Sequence, residues 1–251
     1  MARVNELRIL MGMPITVEVV DEAATKDLLD SAFAYFEYVD RKFSTYKEDS
    51  EISRINRGEV SLEAASEDMK AIFALADETR DRTDGYFNMR HADAYDPSGV
   101  VKGWAIYHVS QLLRGRGARN FYIDAGGDIQ TSGMNAQGHD WRVGIRNPFD
   151  PAQIVKVLSL TDCGIATSGT YIRGRHIYNP HNAADPLTEI VSITVIGPNI
   201  CDADRFATAA FAMGRQGIFF IEGLPGFEGY MIDREGLATL TSGFERHVRN
   251  D

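Results

Sequence analysis

Cysteine is scarce in this chain. Cys163 and Cys201 are the only two among 251 residues, and they match no zinc or redox spacing. A disulfide framework is therefore not expected, and both read as small core residues. Positive charge is in deficit as well. Lys and Arg number 26 against 36 Asp and Glu, for a net charge of −10. A general nucleic-acid surface needs a basic stripe, which this balance argues against, and so does attraction to anionic lipid. A phosphate ligand would depend on local cations or a metal. Long apolar runs are also missing: none approaches the roughly 20 residues needed to span a bilayer. The start, MARVNELRIL, has neither the apolar core of a signal peptide nor the cysteine of a lipoprotein signal. As written, the chain is expected to be soluble and cytoplasmic, or periplasmic if a leader has been removed.

What is present is a core-forming composition, 44% hydrophobic, enough for one large domain or two small ones. ELRILMGMPITVEVV reads as an opening strand or hairpin. Leu29, Ala32, Phe33, Phe36 and Val39 recur at helical spacing. FSTYKEDSEISRIN reads as a polar, turn-rich stretch, followed by a helix over about 63–79. TDGYFNMRHADAYDPSG is loop-like, and a third helix is expected over about 101–114. RNFYIDAGGDIQTSG reads as strand, glycine turn and strand. Further strands are DWRVGIRNP, QIVKVLSLT, GIATSGTY and IVSITVIG. A helix over 204–213, a short helix in QGIFFIEGLPG and the strands FEGYMID and LATLTSG complete the pattern. Without regular βαβ alternation, this predicts an α+β fold with a mixed or antiparallel sheet and flanking helices.

Polar groups gather in five places. In CDADRFATAAFAMG, Asp204 and Thr208 lie four residues apart and share a face of an apolar helix. One reading is N-capping by Asp202 or Asp204. The other is a hard cation such as Mg²⁺, which takes carboxylate and hydroxyl oxygens together with water and phosphate. DAGGD, with Gly126 and Gly127, reads as a tight hairpin or as a close approach of backbone to ligand. In DPSGVVKGWA, Asp96, Gly99 and Lys102 lie at a helix entry, where free N–H groups and a cation suit a phosphate. The stretch after Gly164 carries Thr167, Ser168, Thr170, Arg173, Arg175, His176 and His181. Among these His176 is a candidate base or a surface-loop residue. Tyr46, Tyr86 and Phe87 could stack on a flat ring or pack in the core.

The order of these segments carries more than any one of them. From MGMPITV through FSTYKEDSEISRIN, TDGYFN, DPSGVVKGWAIYHVSQLLRGRG, NFYIDAGGDIQTSG, WRVGIRNP, IATSGTY and HIYNP to SITVIGPNICDADRFATAAFAMG, the chain resembles the FAD:protein FMN transferase family, also called the ApbE family. The resemblance implies a single T-fold-like α+β domain over 1–251. It implies FAD as substrate, Mg²⁺ as cofactor, and transfer of FMN to a threonine hydroxyl of a target protein with release of AMP. Some members hydrolyse FAD to FMN and AMP instead, and a flavin-binding protein without turnover is a further reading. The acceptor implied carries a Ser/Thr-rich motif, typically in a subunit of a membrane redox complex. Residue by residue, the resemblance assigns the metal to Asp204 and Thr208, with backbone carbonyls near Gly99 and Ala207. Asp202 then becomes a helix cap. FAD would contact Met11, Tyr46, Tyr86, Phe87, Asn88, Asp96, Lys102, Gly126, Gly127, Thr167, Ser168 and His176. His176 is the implied catalytic residue near the reacting phosphates. Asn88 and Asn179 stand where the family pattern has Asp.

Overall fold

The computed structural model describes residues 2–91, 93–169, 177–182 and 186–249. It opens with the expected hairpin: strand β1 (Val4–Leu10) pairs antiparallel with β2 (Met13–Val19). Ile15, Val17 and Val19 of β2 are buried, in the period-two alternation of a strand covered on one face. Met11 and Gly12 make the connecting turn, both at positive φ, 52° and 73°, as a two-residue hairpin requires.

Helix α1 (Lys26–Phe43) buries the anticipated stripe from Leu29 to Val39. Thr25 caps it by accepting the Leu28 N–H at 3.2 Å. Helix α2 (Glu51–Asn56) rises from a stretch expected to be turns alone. Ser50 caps it, and Ile52 and Ile55 point inward; six residues are too few for apolar periodicity to register. Helix α3 (Glu67–Arg82) starts later than expected because Ser66 is its cap. Short strands β3 (Arg90–His91) and β4 (Ala94–Tyr95) pair just before α4 (Ser98–Gly115).

Strands β5 (Phe121–Ala125) and β6 (Asp128–Ser132) follow, joined by Gly126 and Gly127 at φ 63° and 98°. DAGGD is thus a tight hairpin, and only glycine takes two such angles without strain. Strands β7 (Trp141–Arg146) and β8 (Ile154–Leu160) form a separate two-stranded ribbon. Next come β9 (Gly164–Gly169), β10 (Ile190–Gly197), α5 (Ile200–Ala212), α6 (Gly217–Glu222), β11 (Glu228–Asp233) and β12 (Ala238–Leu240).

The main sheet has eight strands in the order β1-β2-β5-β6-β9-β10-β11-β12. Every pairing among the described residues is antiparallel, so the α+β expectation holds. The larger apolar cluster lies between one sheet face and the helices, joining Ile15, Phe121, Ile123 and Val195 to Phe33, Phe36, Ile106 and Phe206. The smaller one lies on the opposite face, where Ile129, Ile165 and Ile196 meet Val143, Ile145 and Leu158 of the ribbon. Among the described residues, no helix is long and apolar enough to cross a membrane.

Helix α5 begins at Ile200, not at Asp204, and its cap is Asn199, not Asp202. Asn199 Oδ1 accepts the Asp202 N–H at 2.9 Å, and Asn199 Nδ2 donates to Asp202 Oδ2 at 2.8 Å. Asn199 has the extended backbone of a cap residue. Asp202 already lies within the helix, and its other oxygen, Oδ1, accepts from Arg205 Nε at 2.8 Å. The earlier start carries Asp204 one turn into the helix and over α4. There Gly103 lets the two helices touch. A Cβ on Gly103 would come within 2.7 Å of Asp204 Cβ and 2.8 Å of the Ile200 carbonyl oxygen.

Candidate active site

The crossing of α4 and α5 forms one wall of a cavity of about 340 Å³. Asp204 is only 3% exposed. Its Oδ2 accepts the backbone N–H of Gly103 at 2.8 Å, and its Oδ1 lies 3.6 Å from Lys102 Nζ. Lys102 also pairs closely with Asp128 Oδ2. Asp128 is 2% exposed, and its other oxygen accepts the Thr167 N–H at 3.2 Å. One ammonium therefore serves two buried carboxylates brought from α5 and β6. Burial pushes the Asp204 carboxyl above the ordinary carboxylate range; Lys102 pulls it back, and Asp128 raises it again. Thr208 lines the same wall, half-buried, with its methyl directed at Gly99.

The opposite wall comes from two loop segments. Tyr86, Phe87, Asn88 and Met89 line it from one side, and Ile177, Tyr178 and Pro180 from the other. The segments are tied through backbone carbonyls. The Tyr178 hydroxyl lies 3.0 Å from Asn88 O and 2.9 Å from Arg90 O. His181 Nε2 lies 2.8 Å from Asp84 O, and the His181 ring meets Tyr86 edge-on at 4.6 Å. Burial and the nearby Asp96 carboxylate push the Tyr178 phenol upward. Asn88 and Asn179 both act in local turns. Asn88 Oδ1 accepts the Arg90 N–H at 2.9 Å, and Asn179 Oδ1 accepts the His181 N–H at 3.0 Å.

The inner wall suits a hard divalent ion. Its donors are one carboxylate and one hydroxyl a helical turn apart. Among the described residues no three His, Cys, Asp or Glu side chains gather as a metal cluster. That set is too small for a structural zinc site but matches Mg²⁺, which keeps waters and shares substrate phosphates. Lys102 Nζ stands 3.6 Å from Asp204 Oδ1, so a positive charge already sits beside this carboxylate.

Most residues singled out from the sequence meet here. Tyr86, Phe87, Asn88, Asp96, Gly99, Lys102, Gly126, Thr167, Ser168, Asp204 and Thr208 all line the cavity. Four others do not. Met11 serves the β1–β2 turn, Tyr46 is 97% exposed, Gly127 occupies the outer position of its hairpin turn, and Ala207 is buried inside α5. His176, Thr170, Arg173 and Arg175 lie outside the described residues. Asp128 was not singled out for chemistry. Its one mark in the sequence was an acidic residue directly after two glycines; that the strand is buried along its whole length appears only in the structure. Arg205 was missed too. It is buried, bonded to Asp202, Glu78 and Thr79, and stacked 4.5 Å over Phe206.

A family model for ApbE matches residues 11–96 and 90–231, and the chain belongs to that family. A relative from Salmonella typhimurium, named FAD:protein FMN transferase, is 32% identical over 150 residues, which are 56% of this chain and 43% of the relative. One of the same name from Treponema pallidum is 28% identical over 172 residues, 61% of this chain and 48% of that one. The matched part thus spans less than half the length of either relative. Among solved structures, the flavin transferase ApbE from Vibrio cholerae gives a TM-score of 0.85 at 23% identity, covering 98% of this chain and 99% of that one. The ApbE protein from Thermotoga maritima gives 0.88 at 18% identity, over 99% and 100% of the two chains. At these identities the likeness establishes the fold.

Proposed function

We propose that the chain is an FAD:protein FMN transferase. It binds FAD in the cavity and moves FMN onto a threonine hydroxyl of an acceptor protein, with release of AMP. In the reaction a bond forms between the threonine oxygen and the FMN-side phosphorus. The bond from that phosphorus to the bridging oxygen breaks, AMP keeps the bridging oxygen, and the hydroxyl proton passes to a base. Through its place in the family pattern, His176 is the candidate for that base.

The observation that carries this reading is the buried Asp204 carboxylate beside Thr208 at the wall of a cavity with aromatic lining. Asp204 and Thr208 would hold Mg²⁺, and when bound the ion supplies positive charge to the pyrophosphate oxygens. The protein's own part is largely positioning and neutralisation, as in phosphoryl transfer generally. Gly103 fixes one Asp204 oxygen. Lys102 offers a second positive charge within the same pocket. Tyr86, Phe87 and Tyr178 supply apolar surface for a flat ring system. The names of the relatives from Salmonella typhimurium and Treponema pallidum support the substrate and the transfer. The acceptor would carry a Ser/Thr-rich motif.

The test is to incubate the protein with FAD, Mg²⁺ and a Ser/Thr-rich acceptor peptide. Mass spectrometry of the peptide should show an added FMN on threonine, with an equal amount of AMP released. Free FMN with an unmodified peptide would mean hydrolysis by water in the same cavity. Bound FAD with no AMP would mean flavin binding without turnover.

A further inference from the structure

Lys102 and Asp128 form a unit that a simple phosphate contact does not explain. If Lys102 served FAD alone, a buried carboxylate pressed against its ammonium would weaken its pull on a phosphate. Instead the ammonium is held from two sides. Asp128 Oδ2 pairs with it closely, while Asp204 Oδ1 lies 3.6 Å away. Asp204 Oδ2 is already engaged by the Gly103 N–H at 2.8 Å. The oxygen nearest Lys102 is thus the one left for a divalent ion. Two cations have claims on the same oxygen.

Asp128 is poised to decide between them. Its Oδ1 accepts the Thr167 N–H at 3.2 Å, which anchors the carboxylate on the strand pair β6–β9. Buried at 2% exposure, it cannot turn to solvent. It stands as a fixed counter-charge onto which the Lys102 ammonium can withdraw without leaving the pocket.

We infer that Lys102 is a tethered competitor of the divalent ion for Asp204, and that Asp128 is the positioning residue that draws the ammonium aside when the ion binds. This rests on Asp204 being a metal ligand. The arrangement gives the two buried carboxylates one internal cation to share, which offsets one of their two charges. It also leaves that cation beside the pyrophosphate once the ion has taken its place. Asp128 also bears directly on Asp204, raising its carboxyl, but its larger effect on the metal runs through Lys102 and not through ligation.

The experiment is a double-mutant cycle read by Mn²⁺ binding to the full chain, without FAD. Free Mn²⁺ is followed by its electron paramagnetic resonance signal, and a thermal melt of each protein checks folding. Lys102→Gln should tighten Mn²⁺ binding by about fivefold or more, because the competing charge is gone. Asp128→Asn should weaken it about tenfold in the unsubstituted protein but less than about twofold in the Lys102→Gln background. The double variant removes the buried pair as a unit, so it tests the idea even where a single change unfolds the chain. It should bind Mn²⁺ at least as tightly as the unsubstituted protein. Equal weakening by Asp128→Asn in both backgrounds would make Asp128 an independent charge or a ligand and overturn the inference. Lys102→Gln binding no tighter, or a weaker double variant, would overturn it as well. Asp204→Asn separates the two levels: Mn²⁺ affinity unchanged in that variant would overturn the metal reading itself.

Discussion

The two walls of the cavity are built in different ways. The inner wall is built on two helices whose backbones are in close contact, with strand β6 beside them. Gly103 touches Asp204, and the charges of Asp204, Asp128 and Lys102 are held within a few ångströms by backbone and by each other. The outer wall is two loops joined by side chains reaching for carbonyl oxygens, Tyr178 to Asn88 and Arg90, and His181 to Asp84. Groups that must meet a reacting phosphate within fractions of an ångström need the first kind of support. Groups that only need to cover a ligand can stand on the second kind. The proposed metal and phosphate contacts fall on the inner wall, and the surface proposed to cover the ligand falls on the outer one.

The hardest test of that division is Asp204→Asn. AMP release that depends on Mg²⁺ should fall at least about a hundredfold, since even groups that merely support a metal ligand cost about 10–100-fold when lost. FAD binding should stay within a few fold, as measured by flavin fluorescence. Next is Gly103→Ala. The added methyl has no space against Asp204 and Ile200, so stability should drop by about 1–3 kcal/mol. A thermal melt shifted down by several degrees, with weakened Mn²⁺ binding, is the expected result. An unchanged melt would mean that the helix crossing is not rigid. Thr208→Val keeps the shape and removes the hydroxyl. It should weaken Mg²⁺ about tenfold, in line with one charge-assisted contact, and leave the melt unchanged. The mildest change, Tyr178→Phe, loses only the carbonyl tie. It should alter the Kd for FAD severalfold with kcat preserved, if Tyr178 covers the ligand as proposed and does not meet the reacting atoms.

Much of the fold was readable from pattern. Runs of strand-forming residues between turn residues exposed the strands from β5 to β12, and the stripe from Leu29 to Val39 exposed α1. The errors fell at caps. Ser66 starts α3 later than its apolar residues suggest, and Asn199 starts α5 earlier. Helix α2 stayed hidden because Ile52 and Ile55 are too few to mark a period. The site divides in the same way. Asp204 and Thr208 were legible because their relation is local, one turn of one helix. The Lys102–Asp128 pair was not, because it joins a helix to a strand through tertiary packing alone. Asp128 looked like the far end of a hairpin turn, and nothing in its neighbours says that an ammonium will be waiting there.

The most direct measurement compares two variants in one assay. Asp204→Asn and Tyr178→Phe are each given saturating FAD, Mg²⁺ and acceptor, and AMP release is followed alongside FAD affinity. Loss of release with affinity kept in the first, and release kept with affinity altered in the second, is the predicted result. Full Mg²⁺-dependent release from Asp204→Asn would contradict it, since the buried carboxylate would then have no part in the reaction.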